Sequence, residues 1–162
     1  MKIREAKQSD FNQIWKFFKT IIEAGESYPY PSNMSKEEAE AEWMMPPKRV
    51  FVASKNEQIV GTYYIKPNQP GRGAHVCNCG YMVSSSAQGR GIATKLCEDS
   101  QKKAVALGFK AMQFNLVVST NEVALHLWSK LGFERVGRLP KAFLHAGKGY
   151  VDAFVMYKWL EK

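Results

Sequence analysis

No run of apolar residues in this chain approaches the ~20 needed to span a bilayer; pieces such as Val50-Phe51-Val52-Ala53 are only a few residues long. A membrane protein is therefore not expected, and Met1-Lys2-Ile3-Arg4-Glu5 lacks the apolar core of a secretory leader. Cysteine is scarce: three residues, an odd number, argue against a disulfide framework and for reduced thiols in the cytoplasm. His75, Cys77 and Cys79 alternate and would share one face of a strand. Their two-residue steps of about 6.6 Å suit a zinc ion poorly, since its ligands stand within ~2.3 Å of it, so no metal is expected. Acidic charge is also short, with 15 Asp and Glu against 23 Lys and Arg and a formal net charge of +8. The basic residues are dispersed and no DNA or RNA module accompanies them, so no nucleic-acid partner is expected. A positive field of this kind suits the attraction of a polyanionic small ligand.

What is present suits a globular unit. With 162 residues, 45% hydrophobic and 12% aromatic, the chain can build one core, and no linker or repeat divides it. Residues 1–162 are read as a single domain. Lys2 to Lys7 reads as a strand. Ser9 or Asp10 is placed to cap a helix with the apolar stripe Phe11, Ile14, Trp15, Phe18, Ile21 and Ile22, ended by Gly25. The stiff loop Glu26-Ser27-Tyr28-Pro29-Tyr30-Pro31-Ser32-Asn33 follows. Ser35-Lys36-Glu37-Glu38 is a capping box for a second helix that stops before Pro46-Pro47. Strands are expected at Val50–Ser54 and Ile59–Ile65, a loop at Pro67–Gly73, and a fourth strand at Ala74–Val83. Beyond it come a helix, a strand at Ala111–Val118, a helix after Asn121, and strands near Glu134–Leu139 and Tyr150–Tyr157.

The most informative stretch ends the fourth strand. Tyr81-Met82-Val83 runs through Ser84-Ser85-Ser86-Ala87 into Gln88-Gly89-Arg90-Gly91-Ile92-Ala93, which opens a helix with the face Ile92, Ala93, Leu96, Cys97, Ser100, Ala104 and Leu107. The first turn of a helix carries N–H groups without intrahelical partners and the positive end of the macrodipole. Glycines at 89 and 91 clear side chains from those groups, and Arg90 and Lys95 add charge. This pattern reads as a cradle for a pyrophosphate. A P-loop is not spelled out, because Ala93-Thr94-Lys95 lacks the Gly-Lys-Ser/Thr sequence. A dinucleotide fingerprint fails too, with Thr at 94 and no acid in Lys110-Ala111-Met112-Gln113.

Gln88-x-x-Gly91-x-Ala93 instead resembles the Gln/Arg-x-x-Gly-x-Gly/Ala motif of the GCN5-related N-acetyltransferase (GNAT) superfamily. Asn121…Ala124…Leu127-Trp128…Gly132-Phe133 is similar to that superfamily's second signature, and the resemblance runs from about Val50 to Met156. It implies an α/β (α+β) fold: a mixed, mostly antiparallel sheet of about seven strands, flanked by about four helices and splayed between strands four and five. It implies acetyl-CoA as the acyl donor, held by Met82, Val83, Gln88, Gly89, Arg90, Gly91, Ile92, Ala93, Thr94, Asn121 and Trp128. The pantetheine arm would pair with Met82-Val83, and an N–H near Met82 or Val83 would serve as oxyanion donor.

Two departures from the superfamily pattern bear on chemistry. Trp128 stands where the commonest general acid is a Tyr; an indole N–H is no practical proton source, and the ring reads equally well as core. Strand four lacks the usual Glu. Asn78 lies there, and Asn115 on strand five is placed to approach it across the splay; an Asn carbonyl can hold an amine or a water. Asn78, Met82 and Asn115 are therefore the catalytic candidates, and Asn78, Asn115 and Trp128 together resemble the fungal proline-analogue N-acetyltransferases. In the superfamily the first interhelical loop lines the acceptor pocket, which implies Glu26, Tyr28 and Tyr30, beside Asn78, as substrate-binding residues. Glu26 suits an ammonium group and reads also as a solvated loop carboxylate. A loop at Pro140–Gly149 would close the pocket with His145, Asp152 would pair with a basic neighbour, and Cys97 reads as packing. The expected activity is direct attack of a small-molecule amine on the thioester. Acetylation of a protein N-terminus or lysine, or a non-catalytic acyl-CoA-binding module, are the alternatives, and a homodimer is open.

Overall fold

Seven segments pair into one sheet: β1 (Lys2–Glu5), β2 (Arg49–Lys55), β3 (Gln58–Pro67), β4 (Val76–Val83), β5 (Ala111–Val118), β6 (Glu134–His145) and β7 (Gly149–Trp159). The computed structural model, which describes residues 1–161, orders them β1-β2-β3-β4-β5-β7-β6. Neighbours are antiparallel throughout, except β4 beside β5. Among the described residues four α-helices, α1 (Phe11–Ala24), α2 (Lys36–Met44), α3 (Ile92–Ala106) and α4 (Glu122–Lys130), cover the two faces. The sheet is therefore buried on both sides, which is why Ile59 to Ile65 of β3 are continuously buried rather than alternating. One core cluster joins the sheet to α3 and α4 through Tyr63, Leu96, Met112, Phe114, Trp128 and Met156. The other joins it to α1 and α2 through Phe11, Phe18, Trp43, Val52, Tyr64 and Met82. No helix among the described residues is long and apolar enough to cross a membrane.

Three local readings are corrected. Neither Ser9 nor Asp10 caps α1 with its side chain. The chain enters through a short turn, Gln8–Asp10, and the Asp10 carboxylate turns back to the Lys7 N–H (2.7 Å) and pairs with Arg4 (2.7 Å). His75 does not share a strand face with Cys77 and Cys79, because β4 begins at Val76 and His75 is exposed in the preceding turn, 6.2 Å edge-on from Trp159. Residues 140–149 are no free loop. β6 continues to His145, with an irregularity between Leu139 and Phe143 that places Lys141 at φ 51°. The tip of this hairpin docks on the end of α1, where Ala146 N–H donates to Gly25 C=O (3.0 Å). Gly25 has φ 64°, and a Cβ there would stand 2.9 Å from that of Ala146, so both conformation and contact demand glycine.

Parallel strands need a long crossover, and α3 provides it between β4 and β5. Their ladder is short: Val76 faces Ala111, Cys77 faces Met112, Asn78 faces Gln113, and pairing ends there. Across β5, the register with β7 slips between Phe114 and Val117, a bulge that bends β5 away just as β4 continues straight. The sheet opens at Asn78.

Candidate functional site

A cleft of about 490 Å³ occupies that opening. β4 contributes Asn78 to Val83, β5 contributes Phe114 to Val118, and α4 contributes Ala124, Leu127 and Trp128. Tyr28, Pro29 and Tyr30 form the opposite wall.

The direction of the free backbone groups follows from the register. Ser84 N–H donates to Val60 C=O and Asn68 N–H to Val76 C=O, so even-numbered residues of β4 turn their polar groups toward β3. Odd-numbered residues turn theirs toward β5. Beyond Asn78 that side has no strand partner, and Tyr81 and Val83 present their N–H and C=O to the cleft. Met82 does not. It faces Thr62 across the β3–β4 ladder and is 2% exposed, so the free backbone groups next to it on the cleft side are those of Tyr81 and Val83. Val83 keeps its place on the edge.

At the end of β4 the chain bends through Ser85–Ala87 into Gln88 and the two glycines. Gly89 (φ 76°) and Gly91 (φ 73°) are both left-handed, and Gly91 is the residue from which α3 starts, with no side-chain cap. A Cβ added at either would meet nothing within 4 Å. Among the described residues no backbone partner is recorded for the N–H groups of Gly89, Arg90, Gly91, Ile92, Ala93 or Thr94. Gln88 and Ala93 line the cleft directly; Gly89, Arg90 and Gly91 form the exposed turn at its end, and Ile92 is buried beneath it. The site thus offers an open anion cradle continuous with an open strand edge.

Asn78 is 6% exposed, and each end of its amide makes one bond. Its Oδ1 accepts from the Tyr64 hydroxyl (3.1 Å), and its Nδ2 donates to Gln113 C=O (3.0 Å). Tyr64 lies across Gly80, where a Cβ would stand 2.6 Å from its ring. Lys48 sits 4.5 Å above the same ring and bonds the C=O and carboxylate of Glu42; burial lowers its pKa. Asn115 lines the cleft but does not meet Asn78. It donates to Asn68 Oδ1 (2.7 Å) and accepts from Gln113 Nε2 (3.0 Å), because the β5 bulge carries it away.

Tyr28 and Tyr30 stack at 5.6 Å with 6° between planes, and Tyr30 stacks on Phe18. The Tyr28 hydroxyl donates to Tyr81 C=O on the open edge. Burial raises the pKa of both phenols, so both carry their protons at neutral pH. Glu26 is exposed and outside the cleft lining, so the structure does not bring it to the wall formed by Tyr28, Pro29 and Tyr30. His145 also stays away, its Nδ1 accepting from the Gly147 and Lys148 N–H groups to hold the hairpin tip. Asp152 pairs with Arg138 (3.5 Å) and accepts from the Lys141 N–H. On α4, Asn121 caps the helix by accepting from Ala124 N–H (3.3 Å), and Trp128 packs 5.1 Å from both Tyr81 and Phe114. Cys97 is buried and its thiol is pushed up to about 11, as packing requires and nucleophilic duty does not.

Tyr64, Gly80, Glu42 and Lys66 are cleft residues that no sequence motif singles out. The alternation Thr62, Tyr64, Lys66 is visible in the chain, but pairing it with Asn78 and Gly80 requires the β3–β4 register.

Known proteins share this architecture. The acetyltransferase (GNAT) family profile matches residues 13–133. N-acetyltransferase aca1 of Schizosaccharomyces pombe is 33% identical over 166 residues, covering 92% of this chain and 79% of that protein. The structure of a GCN5-related N-acetyltransferase from Kribbella flavida superposes with a TM-score of 0.93 at 41% identity, over 98% of this chain and 96% of that one. The fold is shared also with a phosphinothricin acetyltransferase from Sinorhizobium meliloti, solved in complex with AcCoA. Its TM-score is 0.86 at 19% identity, over 98% of this chain and 87% of that one.

Proposed function

The chain belongs to the acetyltransferase (GNAT) family, and from that premise we propose that it moves the acetyl group of acetyl-CoA to the amine of a small molecule. One observation carries this reading: the unpaired edge of β4 and the open glycine cradle are contiguous. An amide-bearing arm needs the former, and a pyrophosphate needs the latter. In this reading residues 1–162 act as one catalytic unit, and Cys77, Cys79 and Cys97 stay reduced in the cytoplasm.

The N–H groups from Gly89 to Thr94 hold the pyrophosphate, helped by Gln88 and the positive charge of Arg90. Val83 pairs with the arm, while Asn121 and Trp128 border it. Acetyl-CoA supplies the acetyl group as a thioester, already activated for attack by a neutral amine. The Tyr81 N–H faces the developing oxyanion. Asn78, fixed by Tyr64 and Gln113, holds the amine or its water from the α1–α2 side. Tyr28, Pro29 and Tyr30 narrow the acceptor side of the cleft, which favours a small molecule over a protein segment that would need an open groove.

The reading is tested by CoA release with a panel of small amines, amino acids and aminoglycosides beside N-terminal and lysine peptides. Turnover of at least one small amine well above every peptide is expected; the reverse order turns the acceptor into a protein. Trp128→Phe is expected to raise the acetyl-CoA KM while lowering kcat by less than about tenfold. The ring borders the cofactor and transfers no proton, and general acid–base groups are typically worth ~10²–10⁴. A hundredfold kcat loss with an intact fold would make Trp128 part of the proton chemistry.

A further inference from the structure

Breaking an acetyl thioester leaves a thiolate, and Trp128, on the α4 side of the cleft, offers it only an indole N–H. We propose that the Tyr28 hydroxyl, held on the opened edge of β4 by its bond to Tyr81 C=O, is the proton donor to the departing sulfur; this rests on the acetyl-transfer reading above.

Three phenols line the cleft from the α1–α2 side, and their partners separate them. The Tyr64 hydroxyl is turned to Asn78 Oδ1 (3.1 Å). Tyr30 is stacked between Phe18 and Tyr28, and among the described residues no bond joins it to β4. Tyr28 alone of the three reaches the edge. The N–H and C=O of a strand residue point to the same side, so a thioester polarised by the Tyr81 N–H lies beside the hydroxyl that the Tyr81 C=O holds. Tyr28 is also rigid. Its ring stacks on Tyr30, stands edge-on to the fully buried Trp43 at 6.1 Å, and is followed by Pro29, which fixes the backbone. A donor positioned in this way has only to turn its O–H from the Tyr81 C=O to the sulfur, with the ring held in place.

The neighbouring charges leave the Tyr28 proton in place until that moment. Glu42 is engaged by Lys48, Lys66 stands 5.9 Å from the Tyr64 ring rather than at Tyr28, and Tyr30, Tyr64 and Cys79 are the other titratable groups facing it. Burial keeps the hydroxyl protonated at neutral pH. The step balances. As the amine nitrogen bonds to the acetyl carbon, the C–S bond breaks and its electron pair goes to sulfur. Tyr28 gives its proton to that sulfur, forming free thiol, in concert with the proton it regains, because burial disfavours a standing phenolate. The proton shed by the attacking nitrogen, directly or through a water, restores the phenol.

Tyr28→Phe keeps the ring and its stacking and removes only the hydroxyl. With acetyl-CoA, kcat is expected to fall roughly a hundredfold, the scale of a general acid, while CoA affinity by calorimetry changes less than threefold and the melting transition stays cooperative. The discriminating readout is the leaving group. With an aryl thioacetate, whose thiolate departs without a proton, the variant should work within about threefold of wild type. An equal loss with both donors would make Tyr28 a structural latch on Tyr81, and no loss with acetyl-CoA would remove it from the reaction; either overturns the inference. Failure of the unmutated protein to acetylate any amine, with CoA still bound, overturns the proposed function itself.

Discussion

Gly91→Asp should weaken acetyl-CoA binding by more than about a hundredfold. Two effects act at once, and they separate by control. The residue has φ 73°, where any side chain strains the backbone by roughly 1 kcal/mol. That cost falls on the folded state whether or not ligand is present, so it lowers the melting temperature rather than the affinity. The second effect acts on binding. Nothing lies within 4 Å of a Cβ at Gly91, because this is open space in front of the α3 N–H groups. An Asp carboxylate would fill it, satisfy the donors a pyrophosphate needs, and repel that pyrophosphate at close range. Gly91→Ala carries the strain without the charge and is expected to bind CoA within about tenfold of wild type. Calorimetry on both variants, beside their melting curves, decides the matter: unchanged CoA affinity in Gly91→Asp would take the pyrophosphate away from this turn.

The same turn is legible in the bare sequence, because its spacing is a local property. Gly89 and Gly91 must be glycine for conformational reasons, and the apolar face of α3 announces the helix they open. The α1 stripe is legible in the same way, although Phe17 is buried as well, because α1 sinks more of its surface than a single stripe. The element order and the seven strands follow from the residue patterns, the opening between β4 and β5 from the resemblance, and they hold. What the sequence does not reveal depends on register. Whether Met82 or Tyr81 faces the cleft turns on a one-residue parity that only the β3 pairing sets. Pro140 and Lys141 resemble a loop because a bulge uses loop residues, yet the hairpin continues through them. Glu26 has the charge for an ammonium and lies in the right segment, but the loop is anchored by aromatic stacking that turns Tyr28 and Tyr30 inward instead. Asp10 is well placed in sequence to serve α1 and instead serves the turn that leads into it, because Arg4 on β1 competes for its carboxylate.

Asn78→Ala is expected to lower kcat by roughly a hundredfold, the penalty of losing a positioned contact in a reacting site, with CoA affinity nearly unchanged. Asn78 is the last residue of the β4–β5 ladder, and its side chain bridges the two strands where they part, donating to Gln113 C=O (3.0 Å). The same amide accepts from Tyr64, whose ring can lie flat only because residue 80 is glycine. Truncation leaves the Tyr64 hydroxyl and the Gln113 carbonyl without partners in a buried wall, about 1–3 kcal/mol each before water enters. Part of the loss is therefore structural and will appear as a lower melting temperature. Tyr64→Phe separates the contributions, since it removes the hydroxyl but leaves the Asn78 amide free toward the cleft. If Asn78 holds the amine or its water, Tyr64→Phe should cost less than about tenfold in kcat, and the double variant should resemble Asn78→Ala. If Asn78 acts only by fixing Tyr64, the two single variants should fall equally and the double should be no worse than either. Steady-state kinetics with saturating acetyl-CoA resolve these patterns. A kcat for Asn78→Ala within threefold of wild type would remove this residue from the chemistry and leave it as the hinge at which the sheet opens.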